Sequence, residues 1–149
     1  MIARATGGAL MVLGAALAAL PAFSWFAAPG PAAETRASGF SGAGQLWLLP
    51  VPALIIVLCG AALVAARPGS ELSVARWAGP TAAIAGALAF GLVMWAAIDP
   101  TLELVVRIAD ATERISAPTH LEPAATLAAV LAGFVVGIGA VTSLAGWRR

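Results

Sequence analysis

The sequence predicts an all-α integral membrane protein: four transmembrane helices, both termini cytoplasmic, and an amphipathic extracytoplasmic helix between spans three and four. Three observations carry this expectation. Of the 149 residues, 61% are hydrophobic and 10% charged, whereas a soluble domain has roughly 25% charged residues. The charges leave uncharged runs at 5–33, 37–66, 77–98 and 123–147, of 29, 30, 22 and 25 residues. A hydrocarbon core about 30 Å thick needs roughly 20 helical residues at about 1.5 Å each, so every run is long enough to cross.

The third observation is how the charges sort once four crossings are assumed. The N-terminus, the 67–76 loop and the C-terminus carry Arg4, Arg67, Arg76, Arg148 and Arg149 against Glu71, a net of +4. The 29–45 and 99–122 loops carry Arg36, Arg107 and Arg114 against Glu34, Asp99, Glu103, Asp110, Glu113 and Glu122, a net of −3. Cytoplasmic loops are enriched in basic residues, which places both termini in the cytoplasm and predicts a multi-pass protein of a bacterial inner membrane. All eight basic residues are Arg, a bias that matches a high-GC bacterial genome.

The chain reads as one four-helix transmembrane domain, 1–149, with spans at 6–26, 46–66, 79–98 and 124–147. In span one, Pro21 removes a backbone donor and is expected to kink or end the helix near its outer end. The first run also fits a secretory signal peptide, with Arg4, an apolar stretch and small residues near Ala28 and Ala33. Cleavage would leave three spans and an external N-terminus, so an uncleaved span is expected. The 29–45 segment, rich in Gly, Pro, Ala and Ser, reads as an irregular outer loop. Pro50 and Pro52 fall in or before the first turn of span two, where a missing N–H costs least. Pro68-Gly69 stops that span and Gly79-Pro80 opens the next.

Asp99-Pro100 reads as a helix start. At 100° per residue, Glu103, Arg107, Asp110 and Arg114 share one stripe with i,i+4 ion-pair spacing, while Leu104, Val105, Ile108 and Ile115 lie on the other side. This 99–122 segment is expected either to lie in the membrane interface or to dock on a partner. Leu104, Val105, Ile108, Ile115, Arg107 and Arg114 are the candidate docking residues. Pro118 and Pro123 mark the return to span four.

Tryptophan prefers the headgroup level, where its ring is apolar and its N–H stays wet. Trp25, Trp47, Trp77, Trp95 and Trp147 all fall near span ends and are expected to be interface anchors. Gly133-x-x-x-Gly137 in span four and Ala87-x-x-x-Gly91 in span three permit close helix approach, and packing within the four-helix unit is expected of them.

No ionisable residue lies within the spans, although transport pathways and proton relays in membranes are generally built from such residues. Cys59, the single cysteine, can neither close an internal disulfide nor build a metal site alone. His120, the single histidine, excludes a haem held between two histidines of one chain. There is no phosphate loop and no Gly-x-Ser-x-Gly elbow. A net charge of +1 without a basic stripe excludes a nucleic-acid partner. No enzyme activity and no cofactor are expected. The partners expected are the lipid bilayer and other membrane-protein subunits.

Two functions follow as expectations. The first is a non-catalytic accessory or assembly subunit of a larger bacterial inner-membrane complex. The alternative is a small transporter or lipid-binding protein acting as a homo-oligomer, with a pathway at the Gly-rich helix faces lined by Ser24, Thr142, Ser143 or backbone exposed at Pro21.

The layout resembles the actinobacterial tetraspan Trp-biosynthesis-associated membrane protein family. The residues that carry the resemblance are Trp25 after span one, Ser38-Gly39 or Ser41-Gly42 in the first outer loop, Leu49-Pro50 near the start of span two, and Trp95 with Pro100 closing span three. The resemblance implies four spans and no mechanism, since that family's name reflects gene neighbourhood. Claudin-like tetraspans are set aside: the first loop is too short for their extracellular sheet and lacks a cysteine pair.

Overall fold

A computed structural model describes residues 2–28, 35–42, 44–98, 101–108 and 111–147. For residues 2, 35, 41, 42, 44, 101–108 and 111–118 the description is of the backbone. Four helices are long and apolar enough to cross a membrane: Ala3–Ala22, Gln45–Ala65, Glu71–Ile98 and Pro123–Trp147. This is the pattern of a multi-pass membrane protein.

Helix α1 (Ile2–Ala19) runs into a 3-10 turn, Leu20–Ala22. Pro21 lies inside that turn, and Phe23 is already extended. The helix therefore stops well before residue 26, as a proline without an N–H dictates. Strand β1 (Ser24–Ala28) follows, then strand β2 (Thr35–Ser38), a short helix α2 (Gly39–Gly42) and a 3-10 turn, Gly44–Leu48. Helix α3 (Pro50–Ala65) opens with Pro50 and Pro52 in its first turn. Gly69, at φ +92°, makes the turn to helix α4 (Glu71–Ile98), a left-handed conformation that favours glycine.

Helix α4 begins at Glu71 rather than at the expected residue 79. Ser70, whose hydroxyl donates to Arg67 O, stands just before the first helical residue. Pro80, expected to open the helix, lies inside it. At 28 residues the helix is about 42 Å long, more than a bilayer core of about 30 Å requires. The last helix, α5, runs from Pro123 to Trp147.

The four long helices form a ring. α1 packs on α3, α3 on α4, α4 on α5, and α5 closes on α1, the α4–α5 and α1–α3 seams being the most extensive. Interior positions recur at steps of three and four: Ala125, Ala128, Ala132, Val135, Gly139, Thr142 and Gly146 along α5, and Ala75, Ala78, Ala82, Ala85, Ala89, Val93 and Ala96 along α4. A 3.5-residue repeat of small side chains lets helices pack at a shallow angle with close backbones.

Closest approach falls at glycines, though not at those expected. A Cβ on Gly79 would stand 2.5 Å from Ser143 N, and one on Gly139 would stand 2.6 Å from Ala83 N. On the other long seam, a Cβ on either Gly7 or Gly60 would stand 2.6 Å from the other's carbonyl oxygen. A Cβ on Gly133, Gly137 or Gly91 would meet nothing within 4 Å, and Ala87 is exposed. The expected packing pairs Gly133–Gly137 and Ala87–Gly91 therefore face outward, and Gly79, Gly139, Gly7 and Gly60 take the role assigned to them.

The two connections at one end of the bundle form β-structure. β1 is the central strand of an antiparallel sheet, flanked by β2 and by β5 (His120–Leu121). The described part of the 29–45 loop thus contributes one strand, β2, and the short helix α2, contrary to the expectation of an irregular loop. The expectations for residues 29–34, Asp99, Pro100 and Asp110 concern positions outside the described residues.

The expected amphipathic helix is instead a β-hairpin of β3 (Thr101–Ile108) and β4 (Ala111–Pro118). The register pairs Thr101 with Pro118 and runs without a break to Ile108 with Ala111. Leu102, Leu104, Val106 and Ile108 recur at every second position, the period of a strand and not of a helix. A direct check is a Leu104→Cys, Ile115→Cys double variant. These positions are paired, with Cβ atoms about 4.5–5.5 Å apart in such a ladder, so oxidation is expected to join them. In a continuous helix they would be about 16 Å apart and would stay reduced.

Candidate functional site

The end of the bundle that carries the sheet is built around one buried tryptophan. Trp25 is fully buried, and its indole N–H donates to Leu20 O at 2.7 Å. The β1–β2 register shifts between Ser24 and Phe26, so Trp25 occupies a bulge, which re-aims a side chain. Here it turns the indole back onto the end of α1. Phe26, Ala27 and Ala28 are buried as well, and β1 is covered on both faces. Trp25 is therefore a core residue and not the interface anchor expected of it.

The other tryptophans are exposed. Trp47 donates its indole N–H to Phe40 O at 3.0 Å, and its ring lies 4.7 Å from that of Phe40. Trp77 and Trp147 lie towards one end of the bundle, Trp95 towards the other.

The sheet ties the two loops together. Glu122 N donates to Trp25 O at 2.8 Å, and the Glu122 carboxylate lies 3.7 Å from Arg36 Nε. The Arg36 side chain is 63% exposed, so this pair adds about 0–1 kcal/mol. The backbone pairing carries more of the connection. Ser24 Oγ is buried with no hydrogen-bond partner among the described residues.

The β3–β4 hairpin forms its own sheet, separate from β2–β1–β5. Its register places Leu102, Leu104, Val106, Ile108, Ile115 and Ala117 on one face of the ladder, with Glu113. Glu103, Val105, Arg107, Thr112, Arg114 and Ser116 fall on the other. Of the candidate docking residues, Leu104, Ile108 and Ile115 stay together. Val105 moves to the face of Arg107 and Arg114, because a strand alternates faces where a helix keeps neighbours at i+1 only 100° apart.

At the opposite end lie Arg4, Arg67 and Arg76, the last donating Nε–H to Gly146 O at 2.9 Å. An open groove of about 570 Å³ runs along the outward side of α5 beside the first turns of α1. Val130, Gly133, Phe134 and Gly137 line its length, with Thr6 and Thr142 towards the arginine end. The Thr142 hydroxyl donates to Ile138 O at 2.7 Å. Ser24 sits at the sheet end of the bundle and Thr142 and Ser143 near the other, so the three do not line one pathway. Among the described residues no three His, Cys, Asp or Glu side chains gather in metal-binding geometry.

No family model, curated protein or solved structure matches the chain.

Proposed function

We propose that the chain is a non-catalytic accessory or assembly subunit of a larger bacterial inner-membrane complex, of the respiratory or envelope-transport type. Four helices hold it in the bilayer, both termini are cytoplasmic, and the β3–β4 hairpin docks on a partner subunit outside. The observation that carries this reading is the register of the hairpin, which collects Leu102, Leu104, Val106, Ile108, Ile115 and Ala117, with Glu113 opposite Val106, on one face of a two-stranded ladder that joins no other sheet among the described residues. An isolated two-stranded hairpin is marginal in water and gains stability by packing an apolar face. The spans add support, since their charges are confined to the ends near Arg4, Glu71 and Arg76, and the stretches 5–22, 45–65, 77–98 and 123–147 carry none with which to build a proton or ion relay.

The test is purification from native membranes after mild solubilisation, with mass spectrometry of what accompanies the chain. Copurification of larger membrane subunits is expected, and a Leu104→Glu, Ile115→Glu double variant should lose them while its helix content and melting stay near those of the parent. A chain that purifies alone, with no partner captured by crosslinking in the membrane, would overturn the reading.

A further inference from the structure

We propose that the groove between α1 and α5 seats one acyl chain of an anionic phospholipid, with the headgroup at the arginine end of the bundle. The proposal is independent of hairpin docking, which concerns the opposite end. The lining of the groove selects hydrocarbon. Val130 and Phe134 flank the two glycines, the hydroxyls of Thr6 and Thr142 come only at one end, and that of Thr142 is already bonded to Ile138 O. A ligand with no hydrogen-bonding groups along its length loses nothing on entering such a surface, whereas a polar one leaves water without compensation.

Length agrees with that choice. From Val130 to Thr142 the helix rises about 18 Å, close to half of a hydrocarbon core of about 30 Å, the depth of one leaflet. The polar end of the groove faces the arginine end of the bundle, with Thr6 in the first turns of α1 and Thr142 in the last turns of α5.

Charge decides the headgroup. The end of the bundle at which the groove finishes carries Arg4, Arg67 and Arg76 against Glu71 among the described residues, three positive charges to one negative. Basic residues at the membrane surface attract anionic lipids. The glycines give the groove its depth, since no described residue beyond the helix's own turn lies within 4 Å of a Cβ placed on Gly133 or Gly137. For the same reason a leucine at either position fills the groove without disturbing the bundle.

The experiment reconstitutes the full chain in vesicles of equal parts phosphatidylglycerol and phosphatidylcholine, extracts it into mild detergent and counts retained lipids by native mass spectrometry. The parent is expected to retain phosphatidylglycerol in preference to phosphatidylcholine. Gly137→Leu should lower that retention about tenfold. Gly91→Leu, a substitution at another open glycine outside the groove, should leave it unchanged, and the melting of both variants checks that the bundle is intact. Arg4→Gln should reduce the preference between the two lipids more than the total retained. Equal retention by the parent and Gly137→Leu would overturn the proposal, as would equal retention of the two lipids by the parent. Disulfide capture of two copies through Val130→Cys in the vesicles would overturn it in favour of a helix of a second copy as the occupant.

Discussion

Gly79→Leu and Gly139→Leu are each expected to destabilise the bundle by about 3 kcal/mol or more, at the upper end of what overpacking costs. The cause is backbone. A Cβ on Gly79 meets Ser143 N at 2.5 Å and Ser143 Cα at 2.9 Å, and one on Gly139 meets Ala83 N at 2.6 Å and Gly79 O at 2.8 Å. No rotamer change relieves such contacts, so α4 and α5 must separate along the most extensive seam of the fold. Separation also opens the Ala-rich interior on both sides, where Ala78, Ala82, Ala128 and Ala132 have no exposed surface. Helix content followed through denaturant titration in detergent measures the effect. Gly133→Leu and Gly91→Leu supply the contrast, because a side chain there meets open space and should change stability by less than about 1 kcal/mol. Equal losses at all four glycines would mean that the seam is wrongly placed.

Trp25→Ala is expected to cost about 3–5 kcal/mol, the usual range for emptying the site of a buried aromatic. The residue is 0% exposed, and its N–H is held by Leu20 O. Trp25→Phe keeps most of the packing and gives up the hydrogen bond. Its cost should be nearer 1 kcal/mol, an order-of-magnitude figure of about one net hydrogen bond, because Leu20 O still accepts the Phe23 N–H at 3.0 Å. Trp47→Ala, at an exposed site, should fall well below either. Fluorescence separates the core role from an anchoring one. In a variant with Trp25 as the sole tryptophan, neither an aqueous quencher nor a brominated lipid should reach the ring, whereas an interface anchor would be quenched by the lipid.

Both results depend on features that the sequence shows unevenly. The four spans are legible because charge is excluded from long runs, a coarse signal that survives any detail of packing. Which face of each span points inward is not legible from hydropathy, since almost every position is apolar. The inward faces are marked by size instead, as in the run Ala125, Ala128, Ala132, Gly139, Thr142 and Gly146. A small-residue repeat of 3.5 over the whole helix marks that face. One Gly-x-x-x-Gly pair, Gly133 and Gly137, points to the opposite one.

The 99–122 segment misleads for a different reason. Glu103, Arg107, Asp110 and Arg114 fit a helical stripe, while Leu102, Leu104, Val106 and Ile108 fit a strand, and the two periods overlap in the same stretch. Charges at i,i+4 spacing favour the helix but are worth only a few tenths of a kcal/mol, whereas the alternation of four aliphatic residues decides which face can be buried. Trp25 resembles an anchor because its position near a span end suits the headgroup level. The bulge that turns it inward rests on pairing with Thr35–Ser38, a contact no local pattern reveals.

That pairing also constrains how the chain can be inserted. β1 follows the first span and β5 comes after the third, and the two meet as neighbours through Phe26 with Leu121 and Ala27 with His120. They share a side of a bilayer only if an even number of crossings separates them. A molecule in which α3 or α4 fails to cross strands β5 across the membrane from β1, and the central strand of the sheet is left with one edge unpaired. Inside a bilayer, closure of the sheet would therefore couple the crossing of α3 to that of α4: a chain that completes one without the other could not pair β1 with β5.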